Sequence, residues 1–311
     1  MILKKLVLTF AFGAILASGP VLAADPESCK SVRFSDVGWT DIQATTGITT
    51  AILKGLGYEP RVDVLAVPVT YQSLKNKDID VFLGNWMPSM GADVQPFLDD
   101  KSVEQSSVNL EGAGYGLVVP KYVADGGVKS LADLSKFKEQ FDGKIYGIEA
   151  GNDGNRIVQG FIDDAANNLG DWELVESSEQ GMLAQAQKFM DDKEWIVFLG
   201  WTPHPVMGKM DLVYLDGMGN SGFGSATVYT NVRAGYASEC PNVGKLLSNL
   251  KFDLPMEGAI MDTILTQGKD GETAAIEWLK ANPAALDGWL AGVTTFEGQE
   301  GLPAVKTSLG L

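Results

Sequence analysis

Val81-Phe82-Leu83-Gly84-Asn85-Trp86-Met87-Pro88 is echoed further along by Val197-Phe198-Leu199-Gly200-Trp201-Thr202-Pro203. Each stretch is a short apolar run, then glycine, then tryptophan, then proline. A short apolar run stopped by Gly and Pro reads as a buried parallel strand and its exit loop. In open α/β sheets, ligands bind just beyond the carboxyl ends of the strands. Trp86 and Trp201, both expected to be exposed, would then stand where ligands go. The repeat predicts two similar half-molecules, each giving one ring to a shared site. The competing reading is two core tryptophans beside tight turns.

Outward from these stretches, strand and helix patterns alternate. Residues 32–37 read as a first strand. Thr40-Asp41-Ile42-Gln43 has the form of a capping box, which starts a helix at Thr40. Ile42, Thr49, Ile52, Leu53 and Leu56 form its apolar face, and Gly55 and Gly57 end it. Strands at 62–67 and 79–83 with a short helix at 71–77 complete a βαβαβ unit, which should be parallel and right-handed. Residues 120–127 and 130–141 lead to a second set, with strands at 144–148, 172–175, 195–199 and 211–215 and helices at 156–168 and 180–190. Glycines flank Tyr115 in Gly112-Ala113-Gly114-Tyr115-Gly116, as suits a chain that crosses between domains, and Gly217-Met218-Gly219-Asn220 suits the return. The expected organisation is a signal segment at 1–23, one lobe from 24–112 plus 219–311, and a second lobe from 113–218. Two crossings between α/β lobes describe a clamshell whose cleft closes on a ligand.

The 311 residues are enough for two ordinary domains. With 24 Lys+Arg against 40 Asp+Glu, the chain is acidic, which disfavours nucleic acid as a partner. Lys4 and Lys5 precede an apolar run from Leu6 to Ala17, and Val21-Leu22-Ala23 offers small residues for cleavage after Ala23. That is a secretory signal, too short for a membrane span, and in a bacterium it leads to the periplasm. Cys29 is not at a lipobox position, so no lipid anchor is expected. Cys29 and Cys240 are an even pair in an exported chain and are expected to be bonded. No metal or cofactor is expected. Trp278 and Trp289, in the helical C-terminal part, read as core.

The signal, Gly38-Trp39-Thr40-Asp41 after the first strand, Gly84-Asn85-Trp86-Met87-Pro88, Gly200-Trp201-Thr202-Pro203-His204 and the tail Trp278-Leu279, Asn282-Pro283, Trp289-Leu290 occur in an order that resembles a known family. It is that of the periplasmic substrate-binding proteins for glycine betaine, choline and proline, which deliver ligand to ABC importers. The sequence is most similar to the choline-binding branch. The resemblance covers the mature chain and implies a two-lobed periplasmic binding protein clamshell, type II-like, with the ligand in the cleft. It implies no enzyme activity, a membrane permease as partner, and a monomer.

The family implies an aromatic box for a quaternary ammonium group. Such a head has no N–H to donate, so shape, charge and π-faces must hold it. The resemblance places the box on Trp39, Trp86, Tyr115 and Trp201. It gives Asp41 the role of favouring a cation, choline, over zwitterionic glycine betaine, and Asn152 that of bonding choline's hydroxyl. Each keeps a plainer alternative: a packed strand tyrosine for Tyr115, a helix N-terminal acid for Asp41, a turn asparagine for Asn152. His204 follows the family pattern, but Pro205 stands where relatives often carry an aromatic residue, and a structural role is expected. Glycine betaine is the alternative ligand. An exported choline-ester hydrolase is a second class, opposed by a single histidine and the lack of G-x-S-x-G.

Overall fold

The structure is a computed structural model, and it describes residues 25–311. The expected secretory signal at 1–23 lies outside the described residues. Nine strands, β1 (Ser31–Asp36), β2 (Glu59–Val64), β3 (Val81–Met87), β4 (Val103–Pro120), β5 (Lys144–Tyr146), β6 (Glu173–Val175), β7 (Phe198–Thr202), β8 (Leu212–Tyr214) and β9 (Gly224–Arg233), form one continuous sheet among the described residues. Its order is β2-β1-β3-β9-β4-β7-β5-β6, with β8 paired to β4.

The two halves of that order match. On one side β1 lies parallel between β2 and β3, and on the other β5 lies parallel between β6 and β7. β3 and β7 then each take an antiparallel neighbour, β9 and β4 respectively. The repeated stretches therefore occupy equivalent places. They are parallel on one edge only, because the long strands β4 and β9 run antiparallel to each other through the middle. The returning chain is β9; Gly217 and Gly219, both at positive φ, lie in the loop ahead of it.

Seven helices fill the connections through the second parallel set: α1 (Thr40–Gly55), α2 (Val67–Asn76), α3 (Gly91–Asp99), α4 (Lys121–Asp125), α5 (Leu131–Leu134), α6 (Asp153–Asp163) and α7 (Glu179–Asp191). After β7 come α8 (Val206–Lys209), α9 (Tyr236–Glu239), α10 (Pro241–Asn249), α11 (Leu254–Gln267), α12 (Gly271–Ala281), α13 (Ala285–Trp289) and α14 (Gly301–Leu309). α1 is buried almost all round, against β1 and β3 on one side and α11, α12 and α14 on the other. Gly84 permits that approach: a Cβ there would stand 2.6 Å from Ile42 Cδ1.

Several boundaries differ from expectation. β2 stops at Val64 because Pro68, in the first turn of α2, suits a helix start and not a strand. Trp86 and Trp201 lie inside β3 and β7 and not in exit loops, and both are buried, at 3% and 5% exposure. α1 starts at Thr40, but its N-cap is Trp39 and no capping box forms, because the Thr40 hydroxyl bonds Glu179 across the chain. Cys29 and Cys240 are bonded, with Cα atoms 5.6 Å apart, which ties the segment before β1 to the N-terminus of α10. Trp289 is buried and stacks on half-buried Trp278 at 6.3 Å.

Candidate ligand-binding site

A narrow, nearly filled cavity is lined by Trp39, Asp41, Trp86, Tyr115, Ile148, Asp153 and Trp201. Trp39 caps α1 and Asp41 lies in its first turn; Trp86 is near the end of β3, Tyr115 in β4 and Trp201 near the end of β7. Ile148 follows β5, and Asp153 is the first residue of α6. The cavity thus draws on both sets of parallel strands and on the long strand between them.

Tyr115 is the centre of the aromatic wall. Its ring lies 6.0 Å from Trp86 at a 59° tilt and 6.2 Å from Trp201, edge to face. Phe223 supports it at 5.0 Å. The Tyr115 hydroxyl rests directly on Gly154, where a Cβ would come within 1.9 Å of it, so the second position of α6 has room only for glycine. Trp201 is backed by His204, edge-on at 5.0 Å.

The polar atoms divide into those that hold the walls and those left free. Trp39 Nε1 donates to Glu149 Oε1 at 2.9 Å, and Trp86 Nε1 donates to Asp41 Oδ2 at 3.1 Å. Glu179, fully buried, accepts from the Thr40 amide at 2.8 Å and from the Thr40 hydroxyl, and lies 3.3 Å from His204 Nε2. By contrast Asp41 Oδ1, both Asp153 carboxylate oxygens, the Tyr115 hydroxyl and Trp201 Nε1 are buried without a hydrogen-bond partner among the described residues. A buried polar group without a partner costs about 1–3 kcal/mol, and several around one cavity mark a place where a ligand or water belongs.

The carboxyl groups respond to this burial. Burial pushes Asp41 up to about 8, helped by the nearby charge of Glu179 and opposed by the Trp86 N–H. Burial likewise raises Asp153 to about 6, Glu149 to about 7 and Asp36 to about 6. The lining residues include no Lys, Arg or His. Four electron-rich rings and two carboxylates therefore face the space without a cationic counterpart. A positive guest would bring its own charge to the carboxylates and its surface to the rings.

The sequence-predicted residues are placed as follows. Trp39, Asp41, Trp86, Tyr115 and Trp201 come together around the cavity. Asn152 does not line it: its side-chain oxygen caps α6 by accepting from the Asn155 amide at 2.8 Å, and its amide nitrogen donates to the Glu149 carbonyl. With both ends engaged, Asn152 turns the chain and the next residue, Asp153, faces the cavity. His204 sits behind Trp201 and accepts from the Val206 amide at 3.3 Å, a structural position. Sequence reasoning missed Asp153, Ile148, Glu149 and Glu179. Asp153 had a signal, an acid at the start of a helix after a glycine turn; Glu149 and Glu179 act on residues more than 100 positions away, and nothing local announces that.

Among the described residues no cluster of His, Cys, Asp or Glu is arranged to hold a metal ion, and no helix is long and apolar enough to cross a membrane. Residues 30–281 match the family described as the substrate binding domain of ABC-type glycine betaine transport system. A solved ABC-transporter choline binding protein in complex with choline is 56% identical, with a TM-score of 0.89, over 92% of this chain and 100% of that one. Lactococcal OpuAC, closed and complexed with glycine betaine, is 29% identical with a TM-score of 0.76, over 83% and 98% of the two chains. The glycine betaine/carnitine transport binding protein GbuC of Listeria monocytogenes serotype 1/2a (strain 10403S) is 34% identical over 162 residues, 52% of this chain and 54% of that protein.

Proposed function

The chain belongs to the family of substrate-binding domains of ABC-type glycine betaine transport systems, and from that premise we propose that it captures choline in the cavity and delivers it to a membrane permease. The carrying observation is the lining: four aromatic rings and two carboxylates, with no cationic side chain. Each ring in contact with a trimethylammonium head contributes about 0.5–2 kcal/mol, most when the contact is dry. The carboxylates add attraction for a net positive charge and leave an acceptor for a hydroxyl. The structure of the 56% identical protein, solved with choline, supports the same ligand.

Trp39, Asp41, Trp86, Tyr115 and Trp201 are the proposed contact residues, with Asp153 added and Asn152 moved to the role of positioning Asp153. The lobes at 24–112 plus 219–311 and at 113–218 close on the ligand in this proposal. The bonds from Trp39 to Glu149 and from Thr40 to Glu179 join them when closed. Work outside the cytoplasmic membrane fits the family, and export would use the signal at 1–23. No chemistry is proposed: His204, the sole histidine, is packed behind Trp201 and is not among the residues lining the cavity.

Glycine betaine is the second reading, favoured by the relatives that bind it. Its carboxylate would find two free donors in the lining, the Tyr115 hydroxyl and Trp201 Nε1, and would face Asp41 and Asp153. A fluorescence titration reads the rings directly. Choline is expected to change the tryptophan emission saturably, and tetramethylammonium, which has the head without the hydroxyl, to compete with it. An emission spectrum unmoved by either cation removes quaternary ammonium from the cavity.

A further inference from the structure

We propose that Asp153 is a second ligand-recognition residue and that the Asp41–Asp153 pair selects ligand charge by its own protonation, taking cationic quaternary alcohols when ionised and zwitterionic betaines when protonated. This rests on the reading of the cavity as a quaternary ammonium site. The geometry carries it. Asp153 is fully buried, lines the cavity, and has neither carboxylate oxygen bonded; Asp41, 2% exposed, has one oxygen held by Trp86 and the other free. Three free carboxylate oxygens thus meet one guest in a space that water scarcely reaches.

No cationic side chain lines the cavity to neutralise these charges, and the helix N-terminal amides and the Trp86 N–H offset their burial only in part. Asp41 is faced by Glu179 from α7 and by Glu257 from α11, both buried acids, and by the Trp86 N–H from β3 and the Tyr115 ring from β4. Asp153 is faced by Asp93 from α3, Tyr71 from α2, Tyr115 from β4, and Glu149 from the loop before α6. Ser89 is also beside it, although its hydroxyl donates to the Trp86 carbonyl at 3.1 Å. The cation acting on Asp153, Arg156, is spent on Asp93 at 2.6 Å and on the Ser89 carbonyl at 2.9 Å. Acids gathered in a dry space hold protons until a cation displaces them.

Choline does so: its charge replaces the proton, which leaves to solvent, and its hydroxyl donates to a freed oxygen. Betaine cannot, because its carboxylate stays ionised and repels an ionised aspartate. Facing a protonated aspartate, the same carboxylate gains an O–H donor. The raised positions of Asp153 and Asp41, about 6 and about 8, place the crossover in the range where the site would work.

Isothermal calorimetry of the wild-type protein with choline and with glycine betaine, at about pH 5.5 and about pH 8.5, tests this. Choline is expected to tighten at least about tenfold with rising pH while betaine weakens, and choline binding should release protons in buffers of differing ionisation heat. Asp153→Asn, which keeps the size and the helix start, should weaken choline and flatten the pH dependence of the choline-to-betaine ratio. A wild-type ratio that does not move with pH, binding without proton release, or a profile of Asp153→Asn superimposable on wild type overturns the proposal. The proton-release measurement needs no variant, so it decides the matter even where Asp153→Asn fails to fold. Choline binding that is tight at both pH values leaves the site reading intact and removes the charge selection alone. No choline binding at any pH removes the reading itself.

Discussion

Asp41 does two jobs with two oxygens: one holds the Trp86 indole and the other faces the cavity. Asp41→Asn keeps an acceptor for the indole and removes the charge. It should weaken choline by about tenfold or more and narrow the gap to betaine, as read by paired titrations. Unchanged preference would reduce Asp41 to a helix-terminal acid. Trp201→Ala removes one ring whose N–H bonds nothing among the described residues, so no polar contact within the protein is lost with it. A loss of at least about 1.4 kcal/mol, tenfold in Kd, is expected, with the fold retained by circular dichroism and a lower melting temperature from the buried ring removed. At this scale the sequence was legible where an aromatic residue follows a strand within a repeated pattern. It was silent where an acid works across the fold. Glu149 and Glu179 carry no local signal in the sequence and are the acceptors that hold Trp39 and the start of α1.

The elements meet at their ends. The N-termini of α1 and α6 deliver Asp41 and Asp153, and that of α7 delivers Glu179 to the Thr40 amide. An acid at a helix N-terminus is stabilised by the unpaired amides there, which helps such groups tolerate burial. The capping box read from Thr40 and Gln43 misled for this reason: an acid from α7 took the position that Gln43 would have filled. Alternation of apolar runs with turn signals placed the elements well, but their ends shifted where Pro68 began a helix and where Trp86 and Trp201 continued their strands. Gly154→Ala tests the fit of α6 against β4. The added methyl collides with the Tyr115 hydroxyl, so overpacking should cost about 1–3 kcal/mol of stability and weaken choline by displacing the ring. Denaturant melts and a choline titration of the variant check both; wild-type values in each would show that Tyr115 moves freely.

The whole molecule is two matched sets of strands joined by β4 and β9, and that symmetry was legible in the paired Gly-Trp stretches. The antiparallel centre was not, because nothing in an apolar strand states the direction of its neighbour. Burial raises Asp36, Asp41, Glu149 and Asp153 above their ordinary range, to between about 6 and about 8, and in the proposed clamshell that burial belongs to the closed form. Groups whose pKa is raised in the closed form bind more protons there than in an open, solvated form. Closure of the empty protein is therefore favoured at low pH and weakens as pH rises through that window. Small-angle scattering should give a larger radius of gyration for the empty protein at about pH 9 than at about pH 5, with choline abolishing the difference. A radius independent of pH would show that the carboxyl groups do not govern closure.

The central claim is that an acidic aromatic cage prefers a quaternary cation to a zwitterion with the same head. A competition titration at about pH 8.5, where both aspartates are ionised, in which betaine is added to the choline-loaded wild-type protein and the bound choline is counted, tests it most directly. The cage predicts that betaine displaces choline only at a concentration at least about tenfold above that of choline. Displacement by equimolar betaine, or by less, would contradict it.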